Sequence, residues 1–217
     1  KGMDIVEMNW SAVDASRDAV AQVPIPHTAE HVQEHHQIPD YAPDFVKNII
    51  APIIRRKGDL IPVSQMTVNG AVPTATTKYE PRGVAEEVPV WIPEHCIQCA
   101  QCSFVCPHGA IRIKQIDPAD LESAPEGFTT IEANGKHEAQ FKFRVQVYPE
   151  YCVGCGVCVQ ACPSKEKSLA MKPLQEARER GENEHQKFFD TLSHQTDGVA
   201  ANTIKGSQMK DVFLEFS

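Results

Sequence analysis

The chain has 217 residues, a net charge of −8 and a sequence pI near 5.6, which argues against a nucleic-acid partner because a phosphate backbone selects basic surface. No stretch approaches the roughly 20 apolar residues of a membrane span, and no apolar leader follows Lys1, so the expectation is a cytoplasmic protein without a membrane partner. The 8 cysteines all lie between positions 96 and 162; a disulfide framework would spread them along the chain, so crowding of this kind points to metal.

In chain order, Met3 to Met8 reads as a short apolar run. A helix follows with Trp10, Val13 and Val20 on one face, Asn9 as N-cap, and Pro24 and Pro26 ending it. Residues 24–43 read as a polar arm. His27, His31 and His35 recur there at helical spacing, with His36 adjacent. A solvated helix face is expected rather than a metal site, because no cysteine is near and prolines bound the segment.

Asp44 caps a second helix through Ile54, kinked at Pro52 and stopped near Gly58. From Asp59 to Pro93 the chain is turn-rich and reads as an irregular covering segment. Phe128 to Ile131, a turn at Asn134-Gly135, and Phe141 to Val147 read as a β-hairpin. Phe141, Phe143, Val145 and Val147 take one face, and Lys142, Arg144 and Gln146 the other. A charged helix is expected from Leu174 to Arg180, broken at Gly181, with the run Glu176 to Glu184 read as a solvated face. An extended tail ends in Phe213-Leu-Glu-Phe-Ser217.

The chemistry sits in two cysteine groups. The first is Cys96-Ile-Gln-Cys99-Ala-Gln-Cys102-Ser-Phe-Val-Cys106-Pro107, and the second is Cys152-Val-Gly-Cys155-Gly-Val-Cys158-Val-Gln-Ala-Cys162-Pro163. Both follow C-x2-C-x2-C-x3-C-P, the pattern of proteins that hold two [4Fe–4S] clusters. Three thiolates spaced by three wrap a loop around three corners of an iron–sulfur cube. One helical turn then carries the fourth cysteine toward the other cluster, and the proline turns the chain away.

The expected ligand sets are therefore Cys96, Cys99, Cys102 and Cys162 for one cluster, and Cys152, Cys155, Cys158 and Cys106 for the other. Zinc fits less well, since it takes four ligands from two separated knuckles. Each cysteine of the second group lies 56 positions after its match in the first, and Pro93-Glu94-His95 matches Pro149-Glu150-Tyr151, so a pseudo-twofold repeat is expected. Ile97, Phe104, Val105, Val153, Val157 and Val159 read as an apolar sheath. His95 and His108 are candidate donors beside the first loop.

Residues outside the cysteines carry a resemblance. Phe45-Val-Lys-Asn-Ile, Lys57-Gly-Asp-Leu-Ile-Pro-Val-Ser64, Pro73 to Gly83, Trp91-Ile-Pro-Glu-His-Cys96, Lys142 to Val147, Cys162-Pro-Ser-Lys-Glu-Lys167 and Asn202 to Gln208 look like the central part of single-chain pyruvate:ferredoxin (flavodoxin) oxidoreductases. The family's Glu-Lys-Arg stands here as Glu80-Pro81-Arg82, and its small-residue turn as Thr74-Ala75-Thr76.

The resemblance implies that residues 1–26 end a domain related to the γ subunit. Residues 27–88 would be the Glu-Lys-Arg-type segment, 89–172 the ferredoxin-like dicluster domain, and 173–217 a linker toward a thiamine-diphosphate domain. Thiamine diphosphate, Mg and a third cluster would belong to that further part. Ferredoxin or flavodoxin would be the acceptor, and the parent a homodimer. The expected fold class is α+β, a ferredoxin-like dicluster domain with an irregular mixed N-terminal segment and an extended C-terminal tail. The part of this chain would be electron transfer, with no substrate-turnover site of its own. The alternatives are a free-standing dicluster ferredoxin or a subunit of another 2-oxoacid oxidoreductase.

Overall fold

The computed structural model describes residues 2–25, 38–135, 138, 140–193, 195–196 and 198–210. The His27, His31 and His35 arm and the last seven residues lie outside them. The chain divides into two compact units, 1–37 and 38–217.

The first unit contains helix α1 (Met3–Asp18), with Gly2 at its N-cap and no buried residue. The expected start at Asn9 is wrong. Met3 to Met8 forms the opening turns of the same helix, because nothing in that run breaks it and Asp4 sits where the helix N-terminus favours a carboxylate. The helix ends well before Pro24.

The second unit opens with a helix whose first part, Val46–Ile50, is a wide π turn running into α2 (Ala51–Ile54). The expected kink at Pro52 takes this form. A proline ring collides with the carbonyl four residues back, and widening the preceding turn relieves that clash. The Ala51 N–H accordingly donates to the Val46 carbonyl. Arg56, at φ +57°, supplies the left-handed stop, and Lys57 N–H closes on the Pro52 carbonyl at 2.8 Å.

Two antiparallel sheets follow. Strand β1 (Glu87–Trp91) pairs with β5 (Leu169–Pro173), while β2 (Ile111–Ile116), β4 (Lys142–Val147) and β3 (Ile131–Glu132) form a three-stranded sheet in the order β2-β4-β3. The hairpin expected around Asn134-Gly135 is β3–β4, with Ile131 opposite Phe143. Strand β1 falls in the segment read as irregular, because Pro89 breaks its pattern. A strand with one partner tolerates the proline, whose missing N–H is not needed on the open side.

Strand β4 is buried on both faces. Its apolar face, Phe143, Val145 and Val147, packs with Ile111, Ile113 and Cys158. Its polar face is covered by α6 (Glu182–Thr191), where Gln146 Nε2 donates to Glu182 Oε2 at 3.1 Å.

The charged helix expected from Leu174 to Arg180 is α5 (Leu174–Glu179). Beyond it α6 and α7 (Ile204–Lys210) are helical rather than extended, and the end of the expected tail, 211–217, lies outside the described residues. Gly181, at φ +76°, separates α5 from α6 as expected. Helix α6 is polar in composition, yet Phe189 and His185 are buried. Lys114 Nζ donates to the Phe189 and Leu192 carbonyls at 2.7 and 2.6 Å, filling acceptors left open at the C-terminal end of α6. Helix α7 packs on α3 (Gln101–Phe104), and Ser103 Oγ donates to Gln208 Oε1 at 2.9 Å.

Glu150 links several of these parts. Arg178 of α5 donates two hydrogen bonds of 2.8 Å to its carboxylate and Asn183 adds a third at 3.2 Å. Gly83 N–H donates to the Glu150 carbonyl at 2.9 Å. Gly83 has φ +55°, and a Cβ there would collide with the Glu150 carboxylate, so the Glu80-Pro81-Arg82-Gly83 stretch can lie against the pair only with glycine at its end.

The Arg178 hydrogen bonds hold the Glu150 carboxyl below the ordinary carboxylate range. A carboxylate with a depressed folded pKa adds stability above its unfolded pKa, and that gain is lost as pH falls through the folded value. With Arg178 partly exposed, Glu150→Gln should cost about 0.5–1 kcal/mol near neutrality. In urea denaturation across pH, the gap to wild type should shrink below about pH 4. A gap that persists at pH 3 would mean that packing, not charge, carries the effect.

Candidate metal centre

Each cysteine group is entered through one 3₁₀ turn, Pro93–His95 before Cys96 and Pro149–Tyr151 before Cys152. The loops then bend through left-handed residues, Gln98 (φ +58°) and Ala100 (φ +63°) in the first, Gly154 (φ +72°) and Gly156 (φ +71°) in the second. Gly154 also passes so close to β1 that an added Cβ would sit 3.0 Å from the Glu87 carbonyl oxygen. One short helix follows each loop, α3 and then α4 (Val157–Ala161). These helices carry Cys106 and Cys162 out of their own loops.

The result is two small cavities. One is lined by Cys96, Cys99, Cys102 and Cys162, with Phe143 and Val145 behind them. The other is lined by Cys106, Cys152, Cys155 and Cys158, with Ala110 and Ile111. All eight thiols are free. Among the described residues no three His, Cys, Asp or Glu side chains converge closely enough for a single metal ion. Four thiols spread around a shared space suit a bulkier centre.

Electrostatics agree with a cationic occupant. Burial, then repulsion from neighbouring cysteines, pushes Cys102 up to about 12, and the same two causes push Cys158 up to about 12. Burial also raises Cys96 and Cys152. Thiolates so disfavoured require positive charge in the cavity to ionise together. Cys162 differs. Burial raises it, but hydrogen bonds from Ser168 and Ser164 outweigh burial and leave it at about 7.

Unpartnered polar atoms give a second test of fit. Trp91 Nε1 and Ser164 Oγ are buried with no hydrogen-bond partner of ordinary geometry. Ser164 lines the first cavity, and the indole N–H favours the thiolate form of Cys96. Two buried donors beside sulfur find acceptors once the thiols are ionised, so the residues present fit iron–sulfur clusters.

Two expectations change. Ile97, Phe104, Val153 and Val157 are 55%, 57%, 42% and 43% exposed. Ile97 nonetheless lines the first cavity and Val153 and Val157 line the second, Phe104 lines neither, and strand residues such as Phe143, Val145 and Ile111 complete the apolar lining. His95 does not reach a sulfur: its Nε2 lies 2.9 Å from Glu166 Oε2 and its Nδ1 3.2 Å from the Lys167 carbonyl. It thereby ties the entrance of the first loop to the segment after Cys162. His108 lines the second cavity from the surface. The sequence reading passed over Trp91, Ser164 and Ser168. The only signal for them was their nearness to Cys96 and Cys162.

Comparison with known proteins matches residues 95–165 to a family model described as a 4Fe-4S dicluster domain, and residues 31–85 to one named EKR and described as a domain of unknown function. The whole chain is 44% identical to a stretch covering 18% of a pyruvate:ferredoxin oxidoreductase of Moorella thermoacetica. It is 39% identical to 18% of a pyruvate-flavodoxin oxidoreductase of Enterobacter agglomerans. It is also 36% identical, along its whole length, to 12% of the mitochondrial pyruvate dehydrogenase [NADP(+)] of Euglena gracilis. The chain thus spans about a fifth or less of the length of these relatives.

Proposed function

From this end-to-end homology with one segment of the pyruvate:ferredoxin and pyruvate-flavodoxin oxidoreductases, we propose that the chain is the electron-relay segment of such an enzyme. The observation that carries the reading is the pair of four-cysteine cavities inside a matched dicluster region. Similarity that extends to the residues on both sides of 95–165 weighs against a free-standing ferredoxin.

The proposed ligand sets are Cys96, Cys99, Cys102 and Cys162 in one cavity, and Cys106, Cys152, Cys155 and Cys158 in the other. Bound there, [4Fe–4S] clusters supply one-electron storage. The chain holds sulfur at fixed positions, packs Phe143 and Ile111 behind it, and aims Trp91, Ser164 and Ser168 at it. The two halves form a pseudo-twofold repeat. Support comes from elements at matching positions 56 apart: Pro93–His95 with Pro149–Tyr151, and α3 with the start of α4.

In the parent enzyme, electrons would leave a thiamine-diphosphate centre, with Mg and a third cluster, on another domain. They would pass these two clusters and reach ferredoxin or flavodoxin, in the cytoplasm and in a homodimer. Residues 1–26 would close a γ-like domain, 27–88 form the Glu-Lys-Arg-type segment, 89–172 the dicluster domain, and 173–217 the link to the thiamine domain. The test is Cys152→Ala in the complete protein. Reduction of ferredoxin or flavodoxin by pyruvate should fall to background while pyruvate binding is kept. Reduction at the normal rate would sink the relay.

A further inference from the structure

We propose that Ser168, Trp91 and Ser164 set the reduction potential of the cluster in the first cavity, raising it above the value that the shared scaffold gives the second. The inference rests on the ligand sets of the proposed function.

The two cavities receive similar backbone support. N–H groups of Gln98 and Ser103 meet Cys96 and Cys102 in the first, and those of Gly154 and Val159 meet Cys152 and Cys158 in the second. Side-chain donors are where they part. Ser168 Oγ lies 3.2 Å from Cys162 Sγ and the Ser168 N–H 3.5 Å from the same sulfur. Trp91 Nε1 and Ser164 Oγ are buried without another partner. Ser164 and Ser168 are 8% and 6% exposed, so their dipoles act in a poorly screened environment.

The positions 56 away hold other chemistry. Trp91 corresponds to Val147, which has no donor, and Ser164 to His108, an exposed side chain that lines the second cavity from the surface. Ser168 corresponds to Arg112, whose Nε donates to the Gly109 carbonyl at 3.3 Å and whose guanidinium lies 5.3 Å from the Tyr148 ring centroid.

The direction of the effect follows from charge. Reduction adds one electron and no proton, and the added negative charge spreads onto the thiolate sulfurs. A donor aimed at sulfur therefore stabilises the reduced form and raises the potential. Burial works against reduction, but it is shared: Cys102 and Cys158 are affected alike. Exposure of Cys155 gives the second cavity some solvation. That is one ligand facing high-dielectric water, set against three donors inside, where each hydrogen bond is electrostatically stronger.

The test is an anaerobic redox titration followed by EPR on the complete, iron-loaded chain, comparing wild type with Ser168→Ala, Ser168→Thr and Trp91→Phe. In wild type, two midpoints should differ. Ser168→Ala should lower the higher one by about tenfold in the reduction equilibrium, roughly 59 mV for a one-electron couple, and leave the lower one in place. Ser168→Thr, which keeps the hydroxyl, should restore it, and Trp91→Phe should lower the same midpoint independently. Unchanged midpoints at full iron content would overturn the proposal, as would equal shifts in both. Loss of iron from both Ser168→Ala and Trp91→Phe would also overturn it, since the side chains would then be structural. A wild-type chain that fails to hold two clusters would instead defeat the ligand reading beneath it.

Discussion

A chain carrying Cys162→Ala should lose the same cluster as one carrying Cys99→Ser, although the two positions belong to different motifs. Cys99 and Cys162 line one cavity, and Cys155 lines the other. Changes that remove two ligands of one centre should be redundant, whereas changes at independent centres should add. The Cys99→Ser/Cys162→Ala chain should therefore match either single variant in iron content and in the EPR spectrum of the reduced protein. The Cys155→Ala/Cys162→Ala chain should lose both centres. If each motif instead kept its own four cysteines, the outcome would invert. Cys162→Ala would then pair with Cys155→Ala, and its combination with Cys99→Ser would empty the protein.

Arg144→Met should produce the largest loss of stability of any change away from the cysteines, about 3–5 kcal/mol. The Arg144 side chain is 4% exposed. Its Nε donates to Gln146 Oε1 at 2.8 Å, its Nη1 to the Thr129 carbonyl at 2.7 Å, and its Nη2 lies 3.5 Å from Glu182 Oε2. The guanidinium also sits 4.0 Å from the Phe128 ring centroid. Burial pulls it down to about 10, with Glu182 opposing, so at neutral pH it is charged and only partly compensated.

The pair is therefore a doubtful net stabiliser, yet breaking it is costly, because Glu182, Gln146 and the Thr129 carbonyl lose a partner inside the protein. Arg180, 3.4 Å from Glu182 Oε1, places the expected loss toward the lower end. Urea denaturation of the iron-loaded chain should show a lower midpoint at unchanged slope. Adding Glu182→Gln should recover part of the loss. A loss below about 1 kcal/mol would mean that water replaces the guanidinium at little cost.

The hairpin β3–β4 was legible because Phe141 to Val147 alternates strictly and Asn134-Gly135 marks a turn. The helix at Leu174 was legible because Gly181 ends it. The cysteine motif was explicit, since its spacing is chemistry rather than propensity. What stayed hidden depends on tertiary partners. Glu-Val-Pro-Val-Trp reads as a broken strand until β5 is known to lie on one side of it. Helix α6 reads as a solvated run until Arg144 and Gln146 are seen to bury its inner face. Polar residues on a strand suggest water, and here they meet a polar helix instead. The π turn before Pro52 was invisible because it answers a steric conflict, and no residue type encodes it. Trp91 and Ser168 could not be found from spacing, since each reaches sulfur only through the pairing of β1 with β5.

The two left-handed bends in each cysteine loop are held by different means. In the first loop they fall on Gln98 and Ala100, and the Gln98 amide grips the hairpin at both ends, donating to the Glu132 carbonyl at 2.6 Å and accepting from Asn134 N–H at 2.8 Å. In the second they fall on glycines, whose backbones are the freest before folding. The first loop is thus held in its two bends by a side-chain clamp on the hairpin, and the second takes the same bends at residues that meet no steric penalty there. One duplicated unit secures its bends by a long-range amide grip, and the other by the choice of residue alone.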